Sequence, residues 1–305
     1  MVQLAAPSPA SVIESFTTYQ SLLFSIAYRM LGRVTEAEDM VQETWLRWQK
    51  QDAAAMDSPR AWLISAVTRL CIDQLRSARR EREKYYGVWL PEPVIDDRAQ
   101  APDQASALAD SLSMAFMMML ETLPPAERAV FLLREVFDYE YVSIASIVEK
   151  SESACRQIVH RVKGRLADSS TVSKPPTAQA RRLAEKFLEA TLSGEMQDLL
   201  ALLRDDATLY ADGGGRVHAV GRPLLSADRI ARFFIGIRRY RAAEEVELRF
   251  TTLNGRPGAL MLSGGRIFNA VSFACEGDRI STIYIVRNPD KLQHLQLEIS
   301  PLPPS

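Results

Sequence analysis

Between Tyr141 and Leu166 the chain sets Glu152, Ser153, Arg156, Gln157, His160 and Arg161 on one helical face, while Cys155, Val159, Val162 and Leu166 recur on the other. Arginine carries a planar fork of donors that suits guanine, and the glutamine amide suits adenine, so such a face can read base edges in a major groove. Helices expected over 142–148 and 152–166, the second capped by Ser151, are joined by a tight turn in the pattern of a helix-turn-helix. Taken alone, the same pattern is equally that of a helical hairpin with a solvated face. The turn position that usually holds glycine is Glu149. A left-handed backbone there costs about 1 kcal/mol without glycine, so the residue types leave two turns open, a strained left-handed one and a rebuilt one.

Two earlier segments carry charge of opposite sign. In the first, Glu38, Asp39, Gln42 and Glu43 decorate a helix whose apolar side holds Val41, Trp45 and Trp48. By itself this is a solvated face near a helix N-terminus. The second opens with Pro59-Arg60-Ala61-Trp62-Leu63 and carries Arg69, Asp73, Gln74 and Arg76 toward Arg79-Arg80. Aromatic and basic residues together suit an unpaired DNA strand, because bases stack and phosphates pair with cations. The ring of Trp62 reads as core, and the outer Arg and Gln are the better DNA candidates.

The elements that must position these residues follow from periodicity and punctuation. The 305 residues, 47% hydrophobic and 25% charged, suit two or three globular domains. No run of about 18 uncharged apolar residues occurs, and Met1–Ser11 lacks the basic and apolar parts of a secretory signal. Cys71, Cys155 and Cys275 are far apart in apolar stretches and read as buried free thiols, with no disulfide and no metal site. A net charge of −1 is not that of a stand-alone DNA binder, yet basic residues crowd 76–84 and 156–165. Local basic faces in a neutral chain fit a protein that meets DNA with the help of a larger partner.

Residues 12–84 read as helices, one ended by Gly32 and the next opened by a capping box of Thr35 and Glu38, with Ser58-Pro59 starting a third. Residues 85–104, with Trp89-Leu90-Pro91-Glu92-Pro93, form a linker that prolines keep from being helical. Residues 105–168 are helical again and 169–176 form a second linker. From 177 to 296 two helices precede a strand at 207–211, a glycine turn, a helix at 226–239 and four strand-like runs near 246–253, 258–262, 267–274 and 279–287. Helices first and strands later make an α+β domain with a curled sheet; residues 297–305 are a tail.

Together the acidic helix, the Pro-Arg-Ala-Trp-Leu helix, the linker and the Leu-Pro-Pro-Ala-Glu-Arg segment before the helix-turn-helix resemble regions two and four of the extracytoplasmic-function sigma factors. Trp89-Leu90-Pro91-Glu92-Pro93, Asp212-Gly213-Gly214-Gly215-Arg216 and Asn288-Pro289-Asp290-Lys291-Leu292 resemble motifs of the SigJ-type members of that class. The resemblance implies two all-α sigma domains, the second with the helix-turn-helix, followed by a cone-shaped SnoaL-like (NTF2-like) α+β domain. It implies core RNA polymerase and promoter DNA as partners, and no separate anti-sigma protein. Glu38, Asp39, Gln42 and Glu43 would meet the polymerase. Arg69, Asp73, Gln74, Arg76, Arg79 and Arg80 would lie at the −10 element. Many relatives carry Asn in place of Arg69, which favours a phosphate contact there over a base contact. Ser153, Arg156, Gln157, His160 and Arg161 would face the −35 element. Trp89, Leu90 and Pro91 are expected to dock near Asp212, Gly213, Gly214 and Gly215, and near Asn288, Pro289, Asp290 and Lys291, through a modest, movable contact.

SnoaL-like folds include cyclases and isomerases, so catalysis has to be weighed. Asp212 and His218 are the candidates, but no acid–base pair stands at convincing spacing, and Asp212 opens a turn where Asp bonds the backbone. Tyr210, Phe233, Phe234, Met261, Asn269, Phe273 and Tyr284 read mainly as core, and a pocket for a small molecule stays open. Three functions therefore stand: a cytoplasmic sigma factor regulated by its own third domain, a ligand-responsive DNA-binding regulator, and a cyclase or isomerase fused to a DNA-binding module. The acidic helix and the −10 helix favour the first, since a simple repressor needs neither. No catalytic residue, metal or cofactor is assigned.

Overall fold

The computed structural model describes residues 9–51, 56–82, 85–95, 111–167, 177–240 and 245–299. They divide into two compact units. One holds the helices up to Arg82 and those from Met114 to Ala167; the other holds residues 85–95 together with everything from Thr177 onward.

In the first unit, α1 (Pro9–Leu31), α2 (Val34–Trp48) and α3 (Pro59–Arg82) pack on one another. Leu23, Ile26, Ala27 and Met30 of α1 recur at helical spacing and are buried against Val34, Ala37, Val41 and Trp48 of α2 and Leu63, Ile64, Val67 and Cys71 of α3. Gly32 takes a positive φ of 72° and its N–H bonds Tyr28 O, which ends α1. The capping box expected at Thr35 does not form. Arg33 is extended and leads straight into Val34 with no side-chain cap, while its guanidinium pairs with Glu36 at 3.2 Å. Ser58 does cap α3, accepting Ala61 N–H at 3.3 Å. Trp62 is half-buried and packs on Trp48, with ring centroids 5.4 Å apart.

The same unit continues with α4 (Met114–Glu121), α5 (Pro125–Glu135), α6 (Tyr141–Val148) and α7 (Glu152–Ala167). Ser113 caps α4 and Ser151 caps α7, by bonds from Phe116 N and Ala154 N. Cys155, Val159 and Val162 of α7 are buried, with α5 and α6 as its neighbours. The turn between α6 and α7 is not rebuilt. Glu149 sits in the left-handed region at φ 56°, ψ 48°, and Lys150 N–H bonds Ala145 O at 3.1 Å.

The second unit has α8 (Thr177–Ser193), α9 (Met196–Leu202), β1 (Leu203–Asp212), β2 (Leu224–Leu225), α10 (Ala227–Tyr240), β3 (Glu247–Leu253), β4 (Arg256–Ser263), β5 (Arg266–Glu276), β6 (Arg279–Val286) and α11 (Gln293–Ile299). Its six strands run in the order β2-β1-β6-β5-β4-β3, with β1 parallel to β6 and the other neighbours antiparallel. Register shifts at Met261/Leu262 and Ala274/Cys275 are places where such a sheet bends. The hairpin β3–β4 turns at Asn254-Gly255, both at positive φ, as a tight two-residue loop requires. Phe187 of α8 is fully buried, edge-on to Phe234 of α10 and Phe273 of β5 at 5.1 and 5.7 Å. β1 starts earlier than expected because Leu203 leaves the helix for an extended backbone. Cys71 and Cys155 are buried, but Cys275 is only half-buried at the edge of the core. Among the described residues no helix is long and apolar enough to cross a membrane, and no His/Cys/Asp/Glu group could hold a metal ion.

Candidate functional site

On α2, Glu38, Asp39 and Gln42 are exposed and Glu43 is half-exposed, paired to Arg47 at 2.8 Å. Leu46 on the same helix leaves 46% of its surface in solvent. Beside this face lies an open groove of about 400 Å³, lined by Phe16, Gln20, Phe24, Glu38, Gln42 and Trp45. An apolar floor with Glu38 and two glutamines at its rim, on an acidic helix, suits a partner helix that carries basic side chains.

On α3, Arg69, Asp73 and Arg76 fall at spacings of four and three and are all exposed, with Asp73 and Arg76 paired at 3.3 Å. Gln74 is half-buried. Arg79 and Arg80 belong to α3, but their side chains lie outside the described residues. Arg69 is engaged within the unit, donating to Ser146 O at 2.9 Å and Ile147 O at 3.1 Å.

On α7, Ser153, Arg156, Gln157, His160 and Arg161 are exposed on one face, which the burial of Cys155, Ile158, Val159 and Val162 turns outward. Arg156 pairs with Glu152 at 3.1 Å and lies over the Tyr141 ring at 4.3 Å. Arg161 pairs with Glu127 of α5 at 2.6 Å. A guanidinium held this way is aimed at low entropic cost.

In the second unit the three motif segments come together around one carboxylate. Asp212 ends β1 and is fully buried. Its Oδ1 accepts from Tyr85 Oη at 2.6 Å and from Gly214 N–H at 2.9 Å, and its Oδ2 from Leu90 N–H at 2.8 Å and Lys291 Nζ at 2.7 Å. Lys291, 2% exposed, also donates to Leu90 O at 2.5 Å and stands 4.3 Å from the Trp89 ring centroid and 5.0 Å from that of Tyr85. Asn288 donates to Tyr85 Oη at 3.1 Å. The glycines have steric reasons. A Cβ on Gly213 would press on Val217 O and Ala219, and one on Gly214, at φ 60°, would strike the Asn288 amide. Farther along, His294 bonds Pro93 O at 2.7 Å and faces the buried Glu92, while Val94 and Asn254 exchange bonds at 3.1 and 2.9 Å. Ile95, beyond the prolines, forms an antiparallel bridge with Leu253, so the segment does reach the sheet. Leu90, Pro91 and Glu92 are buried, which is more contact than a modest, movable dock would need. Pro289 and Asp290 stay exposed, and Asp290 pairs with Arg216 at 3.3 Å.

These faces can be set beside known proteins. Residues 16–81 match the model of sigma-70 region 2, and residues 113–166 match that of sigma-70 region 4. The chain is 32% identical over 289 residues to the ECF RNA polymerase sigma factor SigJ of Mycobacterium tuberculosis, covering 92% of each chain. The chain belongs to the extracytoplasmic-function sigma factors. A second relative, the "Probable ECF RNA polymerase sigma factor SigI" of the same species, is 30% identical over 94% of this chain and 97% of its own. The crystal structure of M. tuberculosis SigJ superposes with a TM-score of 0.70 at 28% identity, over 92% of this chain and 98% of that one. The helical part of this sigma factor is thus the sigma-70 pair of regions, and its α+β part is the SnoaL-like (NTF2-like) domain of the SigJ type.

Sigma factors are initiation factors and not enzymes. Asp212 already holds four donors, and His218 is exposed with its backbone carbonyl taken by Arg287. Burial pushes the Tyr284 hydroxyl up to about 12, so it stays protonated at neutral pH, stacked on Tyr210 at 5.7 Å. Several residues that organise these sites carried no sequence signal. Arg29 and Arg128, both fully buried, looked like ordinary charged helix positions. Asn254 and His294 are single polar residues that only the tertiary fold brings to the linker, and Tyr85, within the linker, meets Asp212 and Asn288 only through that fold. Asn254, in an Asn-Gly turn, was readable as a turn residue but not as a receptor for Val94.

Proposed function

We propose that this alternative sigma factor binds core RNA polymerase through the acidic face and groove of α2. In this reading α3 serves the −10 element and α7 the −35 element, and the SnoaL-like domain controls the cytoplasmic protein's output by holding its linker. The observation that carries the regulatory part is the Asp212–Lys291 pair, which Tyr85, Trp89 and Leu90 of the linker contact. A control element fused to the chain acts at high effective concentration, and the reading needs no separate anti-sigma protein. Tyr210, Phe233, Met261 and Asn269 are half-buried in the α+β domain and are where a small-molecule ligand would sit.

The test is promoter-specific transcription with core polymerase by three proteins: the full chain, a chain ending at Arg287 and a chain ending near Ser173. Removing the tail takes Lys291 from a buried carboxylate and should change output. Removing the whole domain also takes the linker's receptor and should give a different change. Equal transcription and equal core binding by all three would make the domain a passenger. An Asp39→Lys, Glu43→Lys double variant should lose core binding in a pull-down; unchanged binding by the folded variant would reject α2 as the polymerase face.

A further inference from the structure

The helix α6 that precedes the recognition helix ends on carbonyls with no partner inside the helix, as every helix does. Two of them, Ser146 O and Ile147 O, accept from one guanidinium, that of Arg69 on α3. The next residue is Glu149, held left-handed without being glycine, with its carboxylate 4.0 Å from the same guanidinium. That ion pair is weak, because the two side chains are 48% and 81% exposed. The paired carbonyl bonds, at the negative end of a helix, are the stronger part. Arg60 of α3 adds a second contact, 5.4 Å over the ring of Tyr139 just before α6. Beneath both, Arg128 of α5 donates to Met30 O at the end of α1, and Arg29 of α1 donates to Ser111 at 2.9 Å.

We propose that Arg69 is a latch with two alternative partners: the end of α6 in the free protein, and promoter DNA in the initiating complex. This rests on the assignment of α3 and α7 to the two promoter elements. The reason is distance. Ser153 lies four residues beyond Glu149, so the two reading faces stand within roughly 25 Å of each other in the latched unit. Elements at −10 and −35 are about 25 base pairs apart, about 85 Å of duplex at 3.4 Å per base pair. The latched unit cannot serve both at once. Arg69 spends Nε and Nη2 on α6 in the latched unit, so opening the unit frees those donors for a two-pronged phosphate contact.

The latch is tested by energy transfer between fluorophores on exposed Gln49→Cys and Ser143→Cys, in the full chain with Cys275→Ser. The free protein should be mainly in the high-transfer state, and saturating core polymerase should shift it to low transfer. Arg69→Ala should raise the low-transfer population of the free protein about tenfold. Arg69→Lys keeps the charge but not the fork and should raise it by a smaller factor, which keeps the test alive if the alanine variant misfolds. Glu149→Gly leaves both carbonyl bonds and should shift the population less than about twofold. If the folded Arg69 variants match the parent, the latch is wrong. A pull-down of the same samples separates the two ideas. Core binding with no effect of Arg69 overturns the latch alone, whereas an Arg69 effect in a protein that does not bind core overturns the polymerase reading alone.

Discussion

Lys291 and Arg128 are each exposed by only 2%, one in each half of the molecule, and the two halves accommodate their buried cation differently. Lys291 faces a fully buried acid, Asp212, and its other partners include a carbonyl and two aromatic rings from the linker. Arg128 has Glu121 at 2.8 Å, but that carboxylate keeps 20% of its surface in solvent, and Arg128 also donates to Leu120 O and Met30 O. In the α+β half the charge is neutralised internally, and removing either partner strands the other. In the helical half the guanidinium also bonds helix-end carbonyls, and its carboxylate partner keeps a path to water. A buried pair fixes one geometry, whereas carbonyls at a helix end can turn to water when the packing opens.

The largest expected effect is therefore Asp212→Ala, which leaves an ammonium buried without its counter-ion. It should destabilise the linker dock by about 3–5 kcal/mol, read as faster hydrogen exchange across 88–95 and 286–294. Protection like that of the parent would mean the pair is not what holds the linker. Arg128→Ala should cost the helical half about 2–3 kcal/mol, because Glu121 can rehydrate while two carbonyls lose their donor. Urea unfolding followed by far-ultraviolet circular dichroism would read it, and a loss as large as that for Asp212→Ala would erase the contrast. Smallest is Gly214→Ala. It adds about 1–2 kcal/mol of left-handed strain and pushes on the Asn288 amide without removing a charge. Its exchange should quicken at 286–292 and much less at the Val94–Asn254 end.

The sequence made the helices and the sheet legible where periodicity was strong. The apolar stripe of α1, the caps Ser58 and Ser151 and the Asn-Gly hairpin all stand where residue type put them. The acidic, basic and helix-turn-helix faces were legible as exposed sets because their buried partners recur at helical spacing. The start of α2 was misread because Thr35 followed by Glu38 looks like a capping box, yet an extended Arg33 with an ion pair to Glu36 serves two residues earlier. The turn at Glu149 was not legible for a different reason. A rule about glycine assumes no outside help, and here the last carbonyls of α6 have a donor 77 and 78 residues away. Pairings of that separation leave no local pattern.

The parallel pairing of β1 with β6 sets Asp212 opposite Val286, and so brings the first motif of the α+β domain beside the last. That arrangement fixes a schedule. Lys291 follows Leu90 by 201 residues, which at about 5–20 residues per second is roughly 10–40 s of synthesis. The linker therefore leaves the ribosome long before any receptor for it exists. For the later part of that interval both sigma regions are made while the α+β domain is still incomplete. A nascent chain arrested before β6 would carry both sigma regions without the completed receptor for their linker.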